Sequence, residues 1–309
     1  MSSQKQKQPI LKKITKGLTV GTTITGSTFF HGPPVLTLGL TKLFKQSKKV
    51  DETNIHIANS WIGVNNWLID HVLSETQWDI SVDDDLDLNM QGRYLMTCNH
   101  QSWVDTTVNQ YFGLTRMPLT RFFTKWELIF IPFVGQAFKI LGFPMMKRHS
   151  KQQVEKNPAL KHKDMAESRK ACEQLLSQPF TLLNYLEGTR FTPEKHAQQQ
   201  SPYHNLLKAK AGGLALALSI LGNQVDALVD MTIVYPDGVP GYGEFWLGEV
   251  PRIAVNMRKI EIPPWVLGGN YEDDAEYRER FQNWVDELWA EKDRLISQIK
   301  QKYVQNSAE

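Results

Sequence analysis

The strongest constraint on the fold is a series of short apolar runs of strand length, separated by longer segments with helical periodicity. The strand-like runs include Tyr94 to Cys98, Phe180 to Leu186, Ala227 to Val234, Phe245 to Leu247 and Ile253 to Ile260. The helical segments include Asp164 to Leu176, Ala211 to Leu221 and Asp273 to Tyr303. Strands that alternate with helices predict an α/β fold, with a central sheet covered on both faces.

Two polar clusters directly follow two of these apolar runs. His100 and Asp105 lie five positions apart after the first run, and Glu187 to Arg190 follow the second. Because sites in α/β proteins form at the ends of strands, we expect the two clusters to meet at one edge of the sheet. A neutral His can take a proton from an alcohol while an Asp orients it, and an Arg can bind an anionic group.

Four sequence blocks in order identify a resemblance to the glycerolipid acyltransferase family, which includes 1-acylglycerol-3-phosphate acyltransferase. His100 and Asp105, preceded by Asn99, match its His-x4-Asp motif. Gly142 to Arg148 resembles the second block, Glu187 to Arg190 is an intact Glu-Gly-Thr-Arg, and Ile233 to Pro236 resembles the fourth block. The chain departs from the family at Tyr185-Leu186, where Phe-Pro is usual. The second and third neighbourhoods are most similar to bacterial inner-membrane lysophospholipid acyltransferases.

The resemblance implies a central mixed sheet flanked by helices, and acyl transfer from a thioester to a glycerol hydroxyl. The donor would be acyl-CoA or acyl carrier protein, acting as co-substrate without a cofactor or metal, and the acceptor a lysophospholipid. His100 would be the general base and Asp105 its partner, and the start of the following helix would offer N–H groups to an oxyanion. Ser102 would cap this helix. The acceptor would be bound by Arg148, Glu187, Gly188, Thr189, Arg190 and Lys210.

The N-terminal segment suggests contact with a membrane. No Asp, Glu, Lys or Arg occurs in the 25 residues from Gly17 to Thr41, and lysines flank both sides. Pro33 and Pro34 are expected to interrupt a helix there. The segment could dip into the bilayer and return, span it once, or pack on the domain as a Thr-rich helix. We expect residues 1–75 to form a membrane-associated segment and residues 76–309 the catalytic domain, on the cytoplasmic face of a bacterial inner membrane.

Other classes of function fit the sequence less well. A net charge of +2 without a dense basic face argues against nucleic-acid binding. A metal hydrolase would need His100, Asp105 and Glu187 as ligands, but a single His makes a poor zinc site. Two alternatives keep the same motifs: a transacylase that takes its acyl group from a phospholipid without CoA, and a membrane-binding protein that has lost catalysis.

Overall fold

The computed structural model describes residues 9–45, 47–146 and 159–305. Among these, six strands form one sheet in the order β1-β8-β7-β2-β6-β3, and β4 pairs with β5 in a small second sheet. The strands are β1 (Gln77–Val82), β2 (Arg93–Cys98), β3 (Thr120–Phe122), β4 (Thr124–Lys125), β5 (Met145–Met146), β6 (Phe180–Tyr185), β7 (Ala227–Val234) and β8 (Arg252–Ile260).

The helices cover both faces of this sheet. They are α1 (Ile10–Thr41), α2 (Lys48–His71), α3 (Val104–Gly113), α4 (Val134–Ile140), α5 (Ala159–Leu175), α6 (Pro193–Gln199), α7 (Gly212–Leu221), α8 (Tyr242–Trp246) and α9 (Ala275–Gln305), with 3-10 turns at Trp126–Phe130, Gly222–Gln224 and Pro264–Leu267. The predicted mixed sheet flanked by helices is confirmed. The strand predicted at Phe245 to Leu247 is wrong: Phe245 and Trp246 belong to the short helix α8 and are buried.

Strand direction places the site. Strands β3, β6, β2 and β7 are mutually parallel, whereas β8 runs antiparallel to β7. The residues that follow β2, β6 and β7 therefore emerge at the same edge of the sheet. His100, Glu187 and Tyr235 each come within two residues of such a strand end.

The sheet separates two layers of buried apolar side chains. Successive residues of β2 point to opposite faces, so that Tyr94 and Met96 pack with α1, α2, α3 and α8, whereas Leu95 packs with α5, α7 and α9. The long helix α9 also places a charged side chain inside. Lys292 is fully buried, and its Nζ lies 2.8 Å from Oδ1 of Asp230 and donates to the carbonyl oxygen of Met231 at 2.7 Å. These contacts attach α9 to the centre of β7.

The helix α1 continues without a break through Pro33 and Pro34, and the predicted interruption is wrong. The prolines remove two backbone donors, but the helix packs closely on both sides of them. A side chain added at Gly32 would meet Cβ of Phe133 at 2.7 Å, and Val35 is fully buried. Tertiary packing therefore outweighs the local cost of the prolines. No helix in the part of the chain described here has the length and apolar character to cross a bilayer.

Candidate active site

His100 and Asp105 form a hydrogen-bonded pair where β2 ends. Nδ1 of His100 lies 2.9 Å from Oδ2 of Asp105. The Asp105 side chain is completely buried, whereas 14% of the His100 side chain is exposed. When Nδ1 carries the proton and donates it to the carboxylate, Nε2 keeps a lone pair that can accept a proton. The arrangement has the chemistry of a general base with an orienting partner.

The Asp105 carboxylate accepts three further hydrogen bonds. Its Oδ2 accepts the backbone N–H of Gln101 at 2.6 Å and of Ser102 at 2.8 Å, and its Oδ1 accepts the Tyr235 hydroxyl at 2.6 Å. Burial, reinforced by the neighbouring Asp105, raises the pKa of Tyr235, so this hydroxyl stays protonated and donates. These hydrogen bonds offset the cost of burying the carboxylate.

The turn that carries His100 is fixed by side chains on either side of it. The amide of Asn99 accepts the N–H of Ile233 at 2.9 Å and donates to its carbonyl oxygen at 2.8 Å, which ties the end of β2 to β7. The Ser102 hydroxyl accepts the N–H of Val104, the first residue of α3, and donates to the carbonyl oxygen of Pro240 at 2.7 Å. Ser102 therefore helps to start the helix, and its hydroxyl proton is already committed.

Three N–H groups at the expected oxyanion site, at and before the start of α3, already have partners within the protein. Asp105 uses the N–H groups of Gln101 and Ser102, and the Ser102 hydroxyl uses that of Val104. The backbone N–H groups that we expected to face a substrate instead donate to the side chains of Asp105 and Ser102. They orient the Asp105 carboxylate, since a donor engaged by a charged partner is a poor donor to a second one.

Glu187 lies beneath His100 instead of facing a substrate. Its side chain is fully buried, Oε1 accepts the N–H of His100 at 2.7 Å, and Oε2 accepts the N–H of Leu207 at 3.0 Å. Burial raises the pKa of Glu187 to about 7, against the lowering effect of the two N–H groups. The sequence assigned Glu187 to acceptor binding; in the structure both of its oxygens accept backbone N–H groups and join the His100 turn to the segment before Lys210.

Gly188 lies in a turn against which the Lys210 side chain packs. Its φ of +64° lies in the left-handed region, and a Cβ there would lie 3.3 Å from Nζ and Cδ of Lys210. The backbone N–H of Lys210 donates to the carbonyl oxygen of Leu186 at 2.8 Å, so its position is set by β6. Glycine is needed both for the backbone conformation and for the close approach of this lysine.

The remaining residues of the third block lie on the segment after Gly188. The N–H of Phe191 donates to the carbonyl oxygen of His100 at 2.7 Å, which attaches this segment to the dyad. Lys195 donates to the Thr189 hydroxyl at 2.8 Å, and the exposed Arg190 has its guanidinium carbon 4.8 Å from the centre of the Trp103 ring. Arg148 lies outside the described residues.

Sequence reasoning missed three residues around the dyad. The Tyr185 ring stacks on His100 with centroids 4.1 Å apart, Tyr235 binds Asp105, and Lys195 binds the segment with Thr189. Tyr185 appeared in the sequence only as a departure from the family pattern, Tyr235 only as a member of the fourth block, and Lys195 only as a charge in the first turn after Thr192-Pro193. Among the described residues, no three His, Cys, Asp or Glu side chains are grouped so that they could hold a metal ion.

Comparisons with known proteins show which proteins this chain resembles. A family model described as Acyltransferase matches residues 79–236, about half of the chain. The 2-acyl-1-lysophosphatidylinositol acyltransferase of Saccharomyces cerevisiae is 28% identical over 137 residues, which cover 38% of this chain and 32% of that protein. The chain thus spans about a third of the length of this curated relative. The crystal structure of the 1-acyl-sn-glycerophosphate (LPA) acyltransferase PlsC from Thermotoga maritima has a TM-score of 0.47 and 17% identity, covering 90% of this chain and 98% of that one.

Proposed function

Because the chain belongs to the acyltransferase family, we propose that it moves a fatty acyl group from a thioester donor to a glycerol hydroxyl of a lysophospholipid. The observation that carries the proposal is the pair of His100 and a buried Asp105 at a sheet edge, next to the exposed cation of Arg190. A curated relative is named as a lysophosphatidylinositol acyltransferase, which supports a lysophospholipid as the acceptor class.

In the proposed reaction His100 is the general base. Its Nε2 takes the proton of the acceptor hydroxyl while the alcohol oxygen attacks the thioester carbonyl carbon. The C–O bond forms, the C–S bond breaks, and the imidazolium returns the proton to the departing thiolate. Asp105 holds the imidazole in the tautomer with Nδ1 protonated and stabilises the imidazolium. Proton transfer of this kind contributes roughly 10²–10⁴-fold to a rate.

The acceptor phosphate would be bound by cations beside the dyad. Arg190 is exposed, and its guanidinium presents a planar fork that matches phosphate oxygens. Lys210, carried across Gly188, adds a second positive charge at the same edge of the sheet. We assign acceptor binding to these two residues together with Arg148, whereas Gly188 and Thr189 shape the segment that carries Arg190. This division leaves proton transfer to His100 alone.

A membrane surface is the natural source of such an acceptor. The helix α1 leaves several large apolar side chains mostly exposed: Ile10, Leu11, Ile14, Leu18, Phe29 and Phe30. Phe130 is also 77% exposed, and the nearby Phe133 ring contacts Phe29 with centroids 5.4 Å apart. Apolar patches of this kind mark interaction surfaces. We propose that this face rests on the cytoplasmic side of a membrane, the inner membrane if the source is bacterial.

Vesicle binding tests the membrane face. Replacing Phe29 and Phe30 together by serine should weaken sedimentation with anionic lipid vesicles by more than about tenfold, since each buried aromatic contributes about 1.5–3 kcal/mol. Val239 is also exposed, at 51%, but lies elsewhere in the chain, so that Val239→Ser is the matched control. Equal binding by the double variant and the native chain would contradict this orientation.

The activity is tested with purified protein, a lysophospholipid acceptor and separate donors. We expect transfer from acyl-CoA or from acyl carrier protein, whereas transfer from a phospholipid without either thioester would identify a transacylase instead. His100→Ala should reduce kcat by about 10²–10⁴-fold, with an unchanged circular dichroism spectrum. His56→Ala, at an exposed position on α2, is the control. No activity with any donor in the native chain would favour a membrane-binding protein without catalysis.

A further inference from the structure

Lys195 lies outside the four sequence blocks, but its side-chain amine contacts two residues of the third block, Thr189 and Arg190. Its Nζ donates to the Thr189 hydroxyl at 2.8 Å and to the carbonyl oxygen of Arg190 at 3.0 Å. The side chain starts from the first turn of α6, where the Thr192 hydroxyl accepts the N–H of Lys195 at 3.3 Å. One ammonium group therefore joins the helix start to both residues that follow Gly188.

The Arg190 side chain is held from a second direction. Its guanidinium carbon lies 4.8 Å from the centre of the Trp103 ring, within the range of a cation–π contact. Trp103 itself is half exposed, but its backbone follows Ser102, whose hydroxyl is hydrogen bonded to Pro240. The indole thus forms a platform on the dyad turn, and the guanidinium lies against it.

Lys195 and Arg190 bring two positive charges to this region, and the adjacent Glu194 carboxylate interacts electrostatically with Lys195. The hydrogen bonds that Nζ of Lys195 donates go to a hydroxyl and a carbonyl oxygen. Two cations on adjacent turns repel each other unless an anion joins them. The Lys195 amine donates to neutral oxygens and so fixes the backbone at Thr189 and Arg190, whereas the Arg190 guanidinium stays at the surface. Lys195 therefore suits the role of positioning Arg190, and Arg190 suits the role of binding an anion.

We propose that Lys195 and Trp103 are positioning residues that hold Arg190 in place for the phosphate of the acceptor. The proposal rests on the proposed function, and it names the feature by which the site recognises a phosphorylated acceptor over a neutral one. Because the guanidinium is already ordered, less conformational entropy is lost when the phosphate binds. Removing either contact leaves Arg190 in the chain but lets it sample other rotamers.

The test compares lysophosphatidate, which carries the phosphate, with a monoacylglycerol of the same chain, which does not. Lys195→Met and Trp103→Leu should each raise KM for lysophosphatidate by about fivefold to tenfold, with kcat within about twofold. The KM for monoacylglycerol should not change. Lys195→Arg and Trp103→Phe, which keep the donor and the ring, should recover most of the native value. Lys259→Met removes an exposed lysine on β8 and is the control.

A double-mutant cycle separates positioning from a general loss of structure. In the Arg190→Ala background, Lys195→Met should have no further effect on KM for lysophosphatidate, because the side chain that it positions is gone. Additive effects, or equal losses for both acceptors, would overturn the proposal. A rise in KM for acyl-CoA instead would show that the phosphate lies on the donor, which also overturns it.

Failure of the proposed function would look different. If Arg190→Ala changes the KM for lysophosphatidate and the KM for monoacylglycerol equally, then Arg190 does not bind the phosphate, whatever Lys195 does. If monoacylglycerol is not turned over, calorimetry can compare the affinity for lysophosphatidate of the His100→Ala protein with and without Lys195→Met. The positioning role predicts weaker binding by the protein that carries Lys195→Met. Equal affinities of these two proteins would overturn the positioning role even when the enzyme is inactive.

Discussion

Glu187→Gln replaces a buried carboxylate by a neutral amide of the same shape. In the native chain its two oxygens accept the N–H groups of His100 and Leu207, and burial raises the pKa of Glu187 to about 7 from an ordinary value of 4.5. The unfolded chain therefore loses this proton at a lower pH than the folded chain. The folded state holds the extra proton between the two values, so that stability falls as the pH rises through this window and levels off above about 7.

The magnitude follows from the two pKa values. The gap between about 7 and 4.5 corresponds to about 3 kcal/mol, of which about 2.5 kcal/mol is lost between about pH 5 and about pH 8. Glutamine does not ionise, so the variant lacks this loss. It has only one acceptor oxygen, however, so one buried N–H faces an amide donor, at a cost of about 1–3 kcal/mol at every pH. The variant should be less stable than the native chain at about pH 5 and equal to it or more stable at about pH 8.

Urea unfolding followed by circular dichroism, in one detergent at several pH values, measures this change. Between about pH 5 and about pH 8, the unfolding free energy of Glu187→Gln relative to that of the native chain should rise by about 2.5 kcal/mol. Other titrating groups cancel in that difference. Glu261→Gln, at an exposed position, is the control and should change the unfolding free energy by no more than about 0.5 kcal/mol. A difference for Glu187→Gln that stays constant with pH would refute the argument.

Three further substitutions test other contacts. Lys292→Met should lower the unfolding free energy by about 1.5–3 kcal/mol in urea melts, because the buried Asp230 carboxylate loses the ammonium at 2.8 Å but keeps Arg258 at 3.0 Å and Thr97 at 2.6 Å. Asp105→Asn should reduce kcat by about 10⁴-fold with little change in KM, since an amide favours the wrong imidazole tautomer; steady-state kinetics at matched thermal stability checks this. Asn99→Ala should lower the unfolding free energy by about 2–4 kcal/mol, because the N–H and C=O of buried Ile233 both lose their partner.

The sequence alone determined the framework of the site. Apolar runs with β-branched residues can form only strands or buried helix segments, and their length and alternation with helices favoured an α/β fold with a sheet covered on both faces. Once that sheet is assumed, the ends of β2 and β6 must meet, because parallel neighbours finish at the same edge. The proximity of His100 to Glu187 and Arg190 follows from this rule together with the order of the four blocks. Local spacing also placed Asp105 in the first turn of α3.

Only the tertiary structure decided what each polar side chain contacts. Glu187 turns inward to two backbone N–H groups, and Tyr235 reaches Asp105 from a position 130 residues away. The continuity of α1 through Pro33 and Pro34 likewise depends on packing against Phe133, which local propensity does not contain. A sequence pattern fixes period and preference over a few residues. The partner of a buried donor or acceptor is set by whichever distant group the fold brings within about 3 Å of it.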